Sequence, residues 1–172
     1  MKRFLLNNGS EYSYEQLLAS LNESDKYYLL YKQLDLYLFF VNLIKALANN
    51  APLVLLDADL NETEIDGVNV AEINVPTKIV STTFVNMEAV VEAVKNSTSE
   101  ITIFTSGTTG QPKKVVHCVQ TLMRAVRFGE KYINQVWAYA YNPTHMAGLQ
   151  VFFQAFMNLN FLVNVFNKSR TE

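Results

Sequence analysis

Phe104-Thr105-Ser106-Gly107-Thr108-Thr109-Gly110-Gln111-Pro112-Lys113 follows on the apolar run Ile101-Thr102-Ile103-Phe104, and this junction decides how the chain is read. The apolar run is a strand, and what comes after it is a loop of small hydroxyl residues and glycines. Gly107 and Gly110 let the backbone turn sharply and come close to a ligand. Ser106, Thr108 and Thr109 offer hydroxyl donors, and successive exposed amides form a nest for an anion. Pro112 fixes the exit of the loop and Lys113 adds a cation beside it. Together these groups make a cradle for phosphate oxygens. A Walker-type loop would place lysine directly after glycine and before Ser or Thr at a helix start. Here Pro112 precedes Lys113 and Lys114 follows, so that reading fails. The plainer alternative is a Ser/Thr/Gly turn that only joins two strands.

Downstream of the loop, Val115-Val116 resumes an extended segment and Thr121 to Tyr132 is expected to be helical. A strand is expected over Val136 to Tyr141, a helix over Ala147 to Asn158 and a strand over Phe161 to Phe166. Upstream, Val90, Val91 and Val94 place a helix over Met87 to Val94, with a short strand at Lys78-Ile79-Val80. Asn61 to Asn74 is acidic and irregular, with a turn at Asp66-Gly67. Leu53-Val54-Leu55-Leu56, bounded by Pro52 and Asp57, reads as a buried strand. From Leu34 to Asn49 apolar residues fall on nearly every turn, as in a helix buried on most of its surface. Proline at 52 disfavours helical geometry before it and ends that helix. Ser13-Tyr14-Glu15-Gln16 is a capping box opening a short amphipathic helix through Leu17, Leu18 and Leu21. Helices alternating with short apolar strands predict an α/β domain with a largely parallel sheet flanked by helices.

Composition agrees with a single packed domain: 172 residues, 49% hydrophobic and 17% charged. A net charge of −2 and a pI near 5.7 provide no overall positive field for nucleic acid. Cys118 stands alone, so no internal disulfide forms, and a reducing cytoplasmic setting is expected. The greasiest stretch, Leu36 to Leu47, is interrupted by Asn42 and Lys45 and falls short of the ~18 continuous apolar residues of a membrane span.

Phe104 to Lys113 resembles the signature loop of the adenylate-forming superfamily: acyl-CoA synthetases, firefly luciferase and peptide-synthetase adenylation domains. The match holds at every constrained position, with Lys114 departing where glycine is usual. It implies that Thr105, Ser106, Gly107, Thr108, Thr109, Gly110 and Lys113 grip the phosphates of ATP (AMP after reaction). It also implies that Thr108 helps to hold Mg²⁺ through the nucleotide. Tyr14 to Leu21 resembles the family's early Tyr-x-x-Leu helix, and Leu43 to Asp57 its helix-then-strand element ending in Pro-Leu-Asp. Asn142-Pro143-Thr144-His145-Met146-Ala147-Gly148-Leu149 resembles the next motif, Leu-Pro-x-x-His-x-x-Gly, with Asn142 in place of leucine. That motif places His145 at the border of the acyl site, and its wording leans towards o-succinylbenzoate–CoA ligases. Taken alone, a histidine at a helix start is more often a cap or surface residue. His117 and Cys118 bring too few ligands for a metal, and Cys118 is expected to be buried as a small hydrophobe.

The resemblance runs the length of the chain and implies that residues 1–172 are the N-terminal part of an AMP-binding domain. The family's later elements are not found: the aromatic-Gly-x-Thr-Glu stretch, the ribose aspartate, the hinge and the small C-terminal domain with its catalytic lysine. Ser169-Arg170-Thr171-Glu172 lacks the aromatic-glycine lead. The implied whole activity joins a small carboxylic acid to ATP and passes the acyl group to CoA or another thiol. The remainder would be supplied in cis or by a second chain, and this portion alone would be nearly inactive. The alternative is a non-catalytic nucleotide-binding or interaction module that kept the fold.

Overall fold

The computed structural model describes residues 1–59, 65, 67–105 and 112–166. The chain opens with a hairpin of β1 (Arg3–Asn7) and β2 (Ser10–Ser13). Its turn is Asn8-Gly9, both at positive φ (49° and 83°), as a two-residue hairpin turn matched to strand twist requires. Ser13 then caps α1 (Tyr14–Asn22) with both arms of the predicted box. The Gln16 amide donates to Ser13 Oγ at 3.2 Å, and the Ser13 amide donates to Gln16 Oε1 at 2.8 Å.

Two short strands, β3 (Lys26–Tyr28) and β4 (Leu30–Lys32), lead to α2 (Leu36–Ala48) and β5 (Leu53–Leu56). Next come β6 (Pro76–Lys78), α3 (Met87–Lys95), β7 (Glu100–Thr105), β8 (Lys113–Cys118) and α4 (Val119–Met123). The last described elements are β9 (Val136–Tyr139), α5 (Met146–Phe156) and β10 (Phe161–Asn164).

These strands form two four-stranded sheets and a small pair. One sheet runs β2-β1-β10-β9 and the other β4-β5-β7-β8, while β3 pairs with β6. Each large sheet has three parallel strands and one antiparallel edge strand, β2 or β8. The parallel neighbours β4 and β5 are joined through α2, β5 and β7 through a longer connection that includes α3, and β9 and β10 through α5, so three βαβ units underlie the fold. The first strand, β1, lies beside the last described one, with Leu5 opposite Leu162. Parallel strands are therefore in the majority, as expected, but they are divided between two sheets.

A single core joins both sheets to all five helices. At its centre Phe40 of α2 stacks on Phe152 of α5 at 4.5 Å and meets Tyr139 of β9 edge-on at 5.4 Å. The all-round burial of α2 agrees with the near-continuous apolar pattern of its sequence. Its two polar interruptions have backbone partners. Asn42 accepts from the Tyr28 amide at 2.8 Å and donates to the Tyr28 carbonyl at 3.0 Å. Lys45 Nζ donates to the Ser24 carbonyl at 3.0 Å, while burial pushes its ammonium below the usual lysine range. Buried polar groups need such partners.

Two expectations shift. The helix foreseen over Thr121 to Tyr132 is only α4 followed by a short 3₁₀ turn at Glu130–Tyr132. Side chains of α5 and of the turn after it capture the backbone between them: Arg127 donates its amide to Gln154 Oε1 at 2.7 Å, and its carbonyl accepts from Gln154 and Asn158 at 3.0 Å each. Gly129 at φ 120° then leaves helical space. The strand expected at Lys78 to Val80 begins earlier, because the ladder with β3 ends at Lys26 opposite Lys78 and Val80 is 95% exposed. Gly67 sits in a turn at φ 77°, while Asp66 lies outside the described residues. No helix among the described residues is long and apolar enough to cross a membrane.

Candidate functional site

The quoted loop is flanked by β7 and β8, which pair as antiparallel neighbours. Ile101 and Ile103 of β7 are buried in the core, and β8 pairs antiparallel along the full length of β7. The last pair is Thr105 opposite Lys113, so a hydroxyl and an ammonium face each other across the loop's mouth, both on exposed residues. Ser106, Gly107, Thr108, Thr109, Gly110 and Gln111 lie outside the described residues, and with them the Mg²⁺-holding reading of Thr108.

At the C-terminal end of β7 a cavity of about 310 Å³ is lined by Ile103, Phe104, Thr105, His145, Met146 and Ala147. It brings together the first residue of the loop and the histidine of the downstream motif, 40 positions apart in the chain. Lys113 is not among its lining residues.

His145 is the residue before α5, with extended backbone (φ −97°, ψ 155°) and no side-chain bond to the helix amides. Its imidazole is 56% exposed and its Nε2 lies 3.3 Å from Oδ2 of Asp57, which is only 15% exposed. Asp57 immediately follows β5, in the other sheet. The same Oδ2 accepts from Asn142 Nδ2 at 2.7 Å, and Oδ1 accepts from the Asp59 amide at 3.0 Å. Asn142 Oδ1 takes the amide and hydroxyl of Thr144 at 3.0 and 2.8 Å, and its carbonyl takes the His145 amide at 3.1 Å. Asn142, the motif's departure from leucine, is therefore the hub of the loop that carries His145.

The sequence reading did not single out Asp57 as a site residue. Its available signal was position: a carboxylate directly after a buried parallel strand, where α/β sheets place ligand-facing groups. Asp57, Asn142 and Thr144 also border a second cleft of about 440 Å³, with Asn8, Gln33 and Asn164 from neighbouring strand ends.

His117 is half-buried on β8, opposite Ile101. Cys118 is exposed rather than buried, because it ends an edge strand. Its thiol contacts Thr121 Oγ1 at 3.1 Å, and that hydrogen bond holds it below the usual cysteine range. No group of three His, Cys, Asp or Glu residues among those described could hold a metal ion.

No family model and no curated protein matches the sequence. Solved structures do match. The N-terminal domain of FACL13 from Mycobacterium tuberculosis, solved with an inhibitor, aligns at a TM-score of 0.66 and 14% identity over 98% of this chain and 54% of its own. The o-succinylbenzoate CoA synthetase of Bacillus subtilis, in complex with its acyl-adenylate intermediate, gives 0.59 and 16% over 98% and 53%. The wild-type E. coli MenE, with a bound phenylether-linked analogue of OSB-AMS, gives 0.64 and 14% over 99% and 43%. The chain spans about half the length of the structures it matches. Identities this low speak to architecture alone, and on that architecture the chain has the fold of the N-terminal portion of adenylate-forming enzymes.

Proposed function

We propose that residues 1–172 form the N-terminal part of an AMP-forming acid ligase, which joins a carboxylic acid to ATP with release of pyrophosphate and passes the acyl group to a thiol such as CoA. The observation that carries this is the meeting of Thr105 and His145 on one cavity, at the root of a hairpin closed by Lys113. Two motifs distant in the chain converge where the reading needs them.

In this reading Thr105, Lys113 and the residues between them hold the phosphates. An ammonium and a hydroxyl at the hairpin mouth are suitable donors for a polyanion. Mg²⁺ would arrive with the nucleotide. His145 borders the acyl group, and the adjoining apolar walls of Ile103, Phe104, Met146 and Ala147 favour a carbon skeleton over bulk water. ATP supplies the adenylyl group that activates the carboxylate. The adenine contacts and the catalytic lysine belong to the remaining half of the fold, in cis or on a companion chain, and the setting is cytoplasmic.

The test is carboxylate-dependent ATP–pyrophosphate exchange in the gene product that carries this chain. Loss of one electrostatic donor to the reacting phosphates costs on the order of 100-fold, so Lys113→Ala should slow exchange by about that factor. Unchanged exchange in Lys113→Ala combined with Thr108→Ala would remove the loop from the mechanism. Nucleotide binding without any exchange would instead favour the non-catalytic module.

A further inference from the structure

The contact between His145 and Asp57 has a geometry that the motif does not explain. His145 lines the 310 Å³ cavity together with Thr105, whereas Asp57, Asn142 and Thr144 line the 440 Å³ cleft. The imidazole and carboxylate, 3.3 Å apart, form part of the wall between the two spaces and join the end of one sheet to the other.

Asp57 is itself held from two further sides. The Asp59 amide fixes one oxygen at 3.0 Å, and Asn142 Nδ2 fixes the other at 2.7 Å. Asn142 in turn is anchored by Thr144, which is buried. A carboxylate so restrained is a stationary negative charge beside the imidazole. No aligned hydrogen bond joins the two, but a carboxylate 3.3 Å from Nε2 favours the proton of the neutral ring on Nε2 over Nδ1, which leaves Nδ1 for a ligand. Fixing a histidine's tautomer and orientation through its other nitrogen is a general device.

We infer that Asp57 is a positioning residue for His145, setting its tautomer and ring orientation at the border of the acyl site. Asn142 steadies the carboxylate. The inference rests on the ligase reading for its catalytic consequence, but the geometric part stands on its own. Asp57 touches no reacting atom; it acts through the imidazole.

The chain holds only two histidines, so His117 serves as an internal control. Long-range ¹H–¹⁵N correlation on the labelled chain at pH 8 should show His145 predominantly as the Nε2-protonated tautomer. Asp57→Ala should move it to a tautomer mixture while His117 stays put. Asp57→Leu, which keeps the branching at Cγ but offers no acceptor, reads out the same change should the alanine variant fold poorly. Asn142→Leu, which removes the donor that steadies the carboxylate but leaves the carboxylate itself, should give a smaller shift in the same direction.

In exchange assays Asp57→Ala should raise the KM for the carboxylic acid by about tenfold, less than the roughly 100-fold that a misplacement near 1 Å can cost, with the KM for ATP little changed. His145 signals that are identical in wild type and both Asp57 variants overturn the positioning role, whatever the exchange assay gives. A tautomer that moves with no change in acid KM also overturns it as a feature of the reaction. Absence of exchange in the wild type would count against the ligase reading and leave the spectroscopic result standing.

Discussion

Gly148→Ala should destabilise this protein, against the trend that alanine follows in helices. Gly148 lies in the first turn of α5, where an added methyl group would ordinarily help by up to about 1 kcal/mol. Here a Cβ would stand 2.1 Å from the Asn142 carbonyl oxygen and 2.9 Å from its carbon. It would also come within 2.9 Å of the buried Tyr139 hydroxyl, which has no hydrogen-bond partner among the described residues. Two of these three atoms are backbone and cannot rotate aside, so α5 or the Asn142–His145 loop must move by more than 1 Å at the point of closest approach. Overpacking of this kind costs about 1–3 kcal/mol, which outweighs the propensity gain and leaves a net loss of about 1–2 kcal/mol. For a chain of this size 1 kcal/mol corresponds to roughly 2–4 °C in melting temperature, so a fall on the order of 5 °C is expected. Thermal unfolding of wild type and variant by circular dichroism measures it directly. A melting temperature equal to or above that of the wild type would refute the close approach, and with it the account of why the His-x-x-Gly spacing ends in glycine.

Asn42→Leu should cost about 2 kcal/mol in urea unfolding, although it makes an already apolar helix more apolar, because it strands the amide and carbonyl of Tyr28 together; an unchanged midpoint would mean that β3 is pinned by other contacts. Tyr31 is buried, which pushes its phenol up to about 12, above the value near 10 of an unfolded chain. Its contribution is therefore complete below pH 10 and is lost as pH rises from 10 towards 12, by about 1 kcal/mol at pH 11. Tyr31→Phe, compared with wild type by urea unfolding at pH 8 and pH 11, should show a correspondingly smaller loss, and equal losses would show that the phenol ionises freely in the folded state.

The elements legible in the sequence were those set by local pattern. Ser13 and Gln16 announced the first helix cap, the density of apolar residues around Phe39 and Phe40 announced the buried helix, and Ile101 to Phe104 announced the strand before the loop. Asn8-Gly9 carried a hairpin signal that went unread, because the flanking strands are short and one of them, Ser10–Ser13, is polar. Other features depend on partners far along the chain. Nothing near Arg127 foretells that Gln154 and Asn158 will take its backbone and stop a helix. Equally, nothing near Leu5 foretells Leu162 as its neighbour, or the division of the strands between two sheets. Of the site, Thr105 and His145 were named by motif, whereas Asp57 emerged only through its hydrogen bond to Asn142, 85 positions away in the chain.

The position of the site follows from topology more than from any one residue. Parallel strands within a sheet deliver the chain to the same edge, so Gln33 after β4, Asp57 after β5 and Thr105 at the end of β7 emerge together. In the other sheet Asn142 follows β9, and Asn164 ends β10. The Asp57–Asn142 hydrogen bond brings these two edges into register. Open α/β sheets bind ligands outside the carboxyl ends of their strands, and here two such edges face one region, with loops rather than helices between them. A leucine at position 142 could pack there but could not hold the edges together through a carboxylate. The amide that looks like a lapse from the motif thus has a structural role. It ties the loop bearing His145 to the sheet bearing Thr105, and the relative placement of those two residues depends on that tie.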